Sequence, residues 1–426
     1  MDLASKLFRG DRVIWIIFMF LCLISLVEVF SATSTIAYKN ANHWAPIVRH
    51  GTHLLMGFLG VLVLHNVPCK FFSAIFVILM PVAVLALIAT PFIGIDANDA
   101  HRWLEIGGIT FQPSEFGKLA CIVFVAFMLS KRDIYTDNQI FKYILIGVGL
   151  ICVLILPENF STAVMLFSVC FLMMFIGQLP FKNLVKLAGI LIILGIAFLA
   201  VIKFTPKGVM EYLPDRVSTW QARLERFADD QNEEDGTYKL TDENFQVTHA
   251  KIAIARGGVI GQMPGHGQQR DFLPQAYSDF IYAIIIEELG FAGGVFVLML
   301  YIMLLVRVGM IARKCDKLFP KFLVLGCGLL LVVQALANMA VAVNLVPVTG
   351  QPLPLVSRGG TSTIISCAYF GIILSISRFG AGIRNEDEDD EGEENEDENP
   401  EETSDNILTE TVENQGDENR ETTVQP

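Results

Sequence analysis

Apolar windows of roughly 15 to 25 residues recur along this chain, the length that about 20 apolar residues need to cross a bilayer core. Ten of them read as spans: 13–33, 50–67, 70–92, 115–130, 142–156, 160–178, 184–204, 279–306, 319–346 and 360–380. The pattern predicts an all-α polytopic membrane protein of about ten transmembrane helices. A large polar segment, 205–278, separates the seventh from the eighth. The first window has the place of a signal peptide, but its core is too long for one and no small-residue cleavage site follows cleanly, so it stays a helix.

Composition agrees with the pattern. Of 426 residues 53% are hydrophobic and the mean hydropathy is +0.51, above the usual range of soluble domains. The net charge of −13 is unevenly spread: from Asn385 onward 19 Asp and Glu face the single Arg420, so this tail carries −18 and the remainder +5. The chain therefore divides into a membrane domain, 1–384, and an acidic tail, 385–426, too poor in apolar residues to bury a core and expected to be disordered. The eight cysteines fall in or beside apolar runs with no paired spacing, as buried free thiols do.

Short-loop Lys and Arg set the expected orientation. Lys6, Arg9 and Arg12 precede the first span; Lys131, Arg132 and Lys142 follow the fourth; Lys182 and Lys186 follow the sixth; Arg313, Lys314, Lys317 and Lys321 follow the eighth. These loops share one face if ten spans hold. Both termini are then cytoplasmic, and segments 93–114, 205–278 and 347–359 lie outside.

Those three outward segments carry the candidate chemistry. The first contains Arg102, Trp103, Gln112, Ser114, Glu115 and Lys118. Glu115 and Lys118, three apart on a helix, form either a structural ion pair or a charged couple facing a polar cavity. Trp103 alone reads as an interfacial anchor. In the second, Gly257, Gly258, Gly261, Gly265 and Gly267 recur beside Lys251, Arg256 and Arg270. Such backbone suits pyrophosphate, but the spacing matches no nucleotide-binding fingerprint. A new apolar helix then begins at about Asp279. Its carboxylate is either a cap or, at a water boundary, a general base. Glu287 and Glu288 follow two turns deeper, where an unpaired charge is expensive. The third segment, from Asn338 to Ser362, breaks its apolar pattern at Pro347, Gly350, Pro352, Pro354, Gly359 and Gly360, as backbone lining protein or a wet cavity does.

The runs RWLEIGGITFQPSEFGKLA, KIAIARGGVIGQ with FLPQAYSDFIYAIIIEELGF, and PVTGQPLPLVSRGGTS resemble the SEDS family (shape, elongation, division and sporulation) of FtsW/RodA-like proteins, over nearly the whole chain to about Arg384. The resemblance implies a peptidoglycan glycosyltransferase that polymerises lipid II, the undecaprenyl-pyrophosphate-linked precursor, during septal wall synthesis, closer to the division than to the elongation members. It places Asp279 at the essential outer-loop aspartate. Arg102, Trp103, Glu115 and Lys118 fall on the first outer motif, and Ser357, Gly359 and Gly360 on the last. Lys118, Arg102, Lys251 or Arg256 would offset charge on the departing pyrophosphate, with or without a divalent cation such as Mg or Mn; no tightly bound cofactor is expected. Implied partners are lipid II, a class B penicillin-binding protein transpeptidase, other divisome proteins and membrane lipids, but no nucleic acid. The implied location is the inner membrane at the septum.

The chain departs from the family pattern at four places. Asn159 and Ser161 stand where an Asp and a Gly are usual, Arg358 replaces a Tyr, and Asn344 and Gln351 also differ. A lipid II flippase and a non-catalytic division scaffold are the rival classes; only the enzyme needs Asp279.

Overall fold

A computed structural model describes residues 8–32, 45–96, 101–106, 109–204, 220–223, 227, 244–273 and 277–397. The chain divides into two compact units, Met1–Phe379 and Gly380–Pro426. Its helices are α1 (Arg12–Ala32), α2 (Ala45–Leu64), α3 (Cys69–Ile93), α4 (Pro113–Ser130), α5 (Asp137–Ile155), α6 (Phe160–Ile176), α7 (Phe181–Phe204), α8 (Phe245–Gly257), α9 (Ile281–Lys314), α10 (Leu318–Ala342) and α11 (Gly360–Asp397). Ten of them, all but α8, coincide with the ten apolar windows. Eight are long and apolar enough to cross a membrane, α3 joins them as a bent pair, and α6 is a shorter apolar helix of 17 residues. The polytopic helical expectation holds. Only Gly360–Phe379 of α11 is apolar; the helix runs on to Asp397, and the rest of the acidic tail, 398–426, lies outside the described residues.

Local chemistry explains several helix ends. Thr136 and Gln139 form a capping box that starts α5. Pro113 opens α4, where its missing N–H costs nothing. Asn159 caps α6, its side chain accepting from Thr162 N–H at 3.2 Å. Asn caps as well as Asp does, so this departure removes a charge and keeps the helix start. Asn344 sits just past the end of α10 with φ +58°, a left-handed position that Asn tolerates better than other side chains.

The centre of the bundle is α4, α10 and the apolar part of α11, whereas α7 turns most of its surface outward, as a lipid-facing helix does. α10 packs on both α9 and α4. The expected 93–114 loop instead contains a small antiparallel sheet, β1 (Ile95–Asp96), β2 (His101–Ile106) and β3 (Ile109–Phe111), in that order. Leu104 pairs with Phe111 and Ile106 with Ile109. All eight cysteines are free thiols, as expected.

The eighth span differs most from its expectation. Asp279 does not start a helix. It lies in the turn Tyr277–Phe280, and Phe280 holds the N-cap position of α9 without a side-chain cap. Nor is α9 continuous, because Gly290 interrupts it with φ 74° and ψ 179°, backbone open to glycine alone. Hydropathy runs unbroken across this point, so the apolar window could not show it.

Candidate active site

A broken helix leaves carbonyls before the break and amides after it without partners. Here the glycine-rich loop supplies them. Gln262 and Met263 donate to the Glu287 and Glu288 carbonyls at 2.9 and 2.8 Å, and Phe291 and Ala292 donate to the Gly258 and Val259 carbonyls at 2.8 and 3.2 Å. Such contact needs bare backbone: a Cβ on Gly290 would come within 2.3 Å of the Val259 carbonyl oxygen. The glutamate side chains complete the clasp. Glu287 Oε1 accepts from Gln268 and Gln269 N–H at 2.9 and 3.1 Å, and Glu288 Oε2 from Gly265 N–H at 3.1 Å. Ser31 Oγ donates to Glu288 Oε1, with Arg270 Nη1 3.6 Å away. Glu287 and Glu288, at a depth where unpaired charge is expensive, are both paired with the loop. The same bonds use amides that would otherwise suit a pyrophosphate.

A second junction lies beside it and joins all three expected segments through α10. Gln334 and Asn338, one turn apart on this apolar helix, are its hubs. Gln334 Oε1 accepts from Lys118 Nζ at 3.0 Å while its Nε2 donates to the Pro352 carbonyl at 3.0 Å. Asn338 Nδ2 donates to the main-chain carbonyls of Asp279 and Gln351, at 2.9 and 2.8 Å. Ser357 Oγ donates to the Ser278 carbonyl at 2.6 Å and accepts from Leu353 N–H, and Arg358 N–H donates to the Tyr277 carbonyl at 2.8 Å. The turn bearing Asp279 is thus fastened from two sides. Its carboxylate accepts from Ser278 Oγ at 3.0 Å and faces Gly350, where an added Cβ would lie 3.8 Å from Oδ2.

The family model of FtsW, RodA and SpoVE cell cycle proteins matches residues 11–381. The chain belongs to this family. Among relatives of the FtsW/RodA/SpoVE family it is 30% identical over 374 residues to the probable peptidoglycan glycosyltransferase FtsW of Geobacter sp. (strain M18), covering 86% of this chain and 96% of the relative. It is 33% identical over 386 residues to the protein of that name from Haemophilus influenzae, covering 86% and 90%. Among solved structures, a chain of a peptidoglycan synthase complex that coordinates polymerization and crosslinking superposes with TM-score 0.68 at 22% identity, covering 87% of this chain and 98% of that one. RodA of Thermus thermophilus gives TM-score 0.60 at 22% identity, covering 87% and 97%.

The residues singled out from sequence sort clearly within this family fold. Glu115 and Lys118 pair at 2.7 Å, with Lys118 fully buried; Ser114 is buried beside them. Gln112 N–H reaches Thr361 Oγ1 at 3.4 Å, tying the first segment to the start of α11, which Gly360 opens. Ser357 meets the Asp279 turn at the Ser278 carbonyl, whereas the Gly359 carbonyl accepts from Thr363 Oγ1 and Gly360 faces His53. Trp103 lies half-buried on β2, paired with Ile95; Arg102 shares that strand, but its side chain lies outside the described residues. Lys251 and Arg256 both stand on α8, where Arg256 Nη1 donates to Gln268 Oε1 at 2.6 Å at an exposed position.

Gln334 and Asn338 are what sequence reasoning missed as site residues. The signal was present, since two polar side chains four apart share one face of a helix whose other positions are almost all apolar. The departure at Gln351 has a partner too: its Nε2 donates to Thr162 Oγ1 at 2.7 Å, reaching the first turn of α6. Among the described residues no three His, Cys, Asp or Glu side chains gather as metal ligands.

Proposed function

We propose that this chain is a peptidoglycan glycosyltransferase acting on lipid II, with Asp279 as its general base. The observation that carries this reading is the fastening of the Asp279 turn to α10 and to the 347–359 segment, with the carboxylate turned toward Gly350. A base fixed by its backbone holds its position while a substrate oxygen approaches, which is what proton transfer at hydrogen-bond distance requires. In the step we infer, the 4-hydroxyl oxygen of the acceptor GlcNAc forms a bond to the donor's anomeric carbon. The bond from that carbon to the diphosphate oxygen breaks, undecaprenyl pyrophosphate leaves with the electron pair, and the hydroxyl proton passes to Asp279. A single displacement inverts the anomeric configuration.

Lys and Arg in the short loops support cytoplasmic termini and an Asp279 turn facing the other side, where lipid-linked precursor is consumed. The FtsW names of the relatives support a septal role. The synthase complex to which the structural relative belongs supports a crosslinking partner, which we infer to be a class B penicillin-binding protein.

Asp279→Asn tests the reading. Purified with its partner and given lipid II, the variant should keep its thermal midpoint and lose polymer by about 100-fold or more. Cells relying on it should form filaments with blocked septa. Wild-type polymer yield from the variant would falsify the assignment of the base.

A further inference from the structure

The stretch of chain opposite Asp279 is held from α6 as well as from α10. Gly350, which the Asp279 carboxylate faces, lies between Val348 and Pro352, whose carbonyls accept from Arg223 Nη1 at 3.2 Å and from Gln334 Nε2 at 3.0 Å. Gln351 adds two further ties. Its carbonyl accepts from Asn338 Nδ2 at 2.8 Å, while its side-chain Nε2 reaches in the other direction and donates to Thr162 Oγ1 at 2.7 Å.

Two of the departures from the family pattern meet at Thr162. Its main-chain N–H donates to Asn159 Oδ1 at 3.2 Å, and its hydroxyl oxygen accepts from Gln351. Both members of the side-chain bond are buried, with Thr162 2% and Gln351 4% exposed. A buried amide needs a partner, and an apolar side chain at 351 would leave Thr162 without this link to the segment. Neutral groups at both ends also escape the desolvation that a charge would suffer there.

The first turn of α6 is a firm point from which to hold that segment. Phe160 packs on Phe198 of α7 and on Trp220, with ring centroids 5.6 and 5.1 Å apart. Trp220 and Arg223 belong to one short helical stretch, so the piece that rests on Phe160 also reaches the Val348 carbonyl. The Asp279 turn has separate supports, Asn338 at its own carbonyl and Ser357 at the Ser278 carbonyl. Base and facing wall are therefore fastened by different side chains.

We propose that Gln351 is a positioning residue for glycosyl transfer: through Thr162 it fixes the wall at Gly350 at the spacing from Asp279 that an acceptor hydroxyl requires. The inference rests on the glycosyltransferase reading. Loss of the Gln351 side chain should let the wall drift while the base stays in place, and a reacting group misplaced by a fraction of an ångström slows the step more than it weakens binding.

The test uses the full chain with its partner in nanodiscs, supplied with lipid II. Gln351→Leu and Thr162→Val should each lower kcat per folded molecule about tenfold with KM within about twofold. The double variant should fall no further than either single one, because both remove the same bond. Thr162→Ser, which keeps the hydroxyl, should retain the wild-type rate. Amide hydrogen exchange reads the same tie without catalysis: Gln351→Leu should speed exchange about tenfold across residues 348–353 and leave residues 277–280 unchanged. Absence of polymer from the wild-type chain would refute the transferase reading and leave the exchange result standing. Single variants that lower the thermal midpoint but keep kcat would make the bond structural and overturn the proposal. So would losses that multiply in the double variant, or exchange across 348–353 that does not change.

Discussion

The glycine-rich clasp and the Asp279 junction flank the same short helical segment, Ile281–Leu289, yet they use polar groups in opposite ways. In the clasp, both the backbone and the side chains of Glu287 and Glu288 are spent on joining loop to helix. At the junction the backbone is fastened just as firmly, but Asp279 is held by its carbonyl rather than by a cap, and its carboxylate accepts from the neighbouring Ser278 hydroxyl rather than from a loop amide. A dense set of glycines and acids therefore marks construction here. The candidate chemistry is marked by a carboxylate on a backbone fastened from two sides.

The sharpest way to test that contrast is to damage the clasp. Gly290→Val must place a β-branched side chain at φ 74°, against the Val259 carbonyl. A cost of about 3 kcal/mol or more is expected. The readout is loss of monodisperse protein in detergent, with activity lost only as the folded fraction falls. Damage at the junction should look different. Asn338→Leu removes two donors and frees the Asp279 turn, at an expected stability cost of about 1–3 kcal/mol. Polymerisation kcat should fall about 10- to 100-fold with KM little changed, because a base displaced by a fraction of an ångström is misaligned rather than absent. If kcat per folded molecule is unaltered, the junction is scaffold like the clasp and the contrast fails.

The smallest expected stability effect is at Glu115 and Lys118. Replacing a buried ion pair by neutral groups of similar size is often neutral or stabilising. Glu115→Gln with Lys118→Met should therefore leave the thermal midpoint within about 3 °C. If the pair serves the site through Gln334, glycan synthesis should nonetheless drop. An active, stable double variant would assign it to structure alone.

Sequence made the long-range plan legible because membrane crossing depends on composition over whole windows. Ten windows became ten helices, and the three polar segments met around Asp279. The break at Gly290 was hidden for the same reason, since one residue's dihedral angles leave no trace in averaged hydropathy. The sheet at 95–111 was equally invisible within a loop read by its charges. Asp279, Glu115 and Lys118 were legible as candidates because polar groups at membrane depth stand out, and Ser357 through the family's last motif. Gln334 and Asn338 carried the same signal but were overlooked inside an apolar window. Lys251 and Arg256 were read from their place beside a glycine-rich loop, and both stand on α8, with Arg256 donating to Gln268.

The clasp also bears on how the chain acquires this geometry. Its partners, Gly258–Met263 and Glu287–Ala292, are about thirty residues apart, and closing a loop of that length costs little more entropy than closing a much shorter one. Contacts of such short range form readily without help from distant parts of the chain. The bend in α9, and with it the angle at which the Asp279 turn leaves the helix, is accordingly settled by neighbours in sequence. α10 then holds the far end of the same segment, where Asn338 donates to the Asp279 carbonyl.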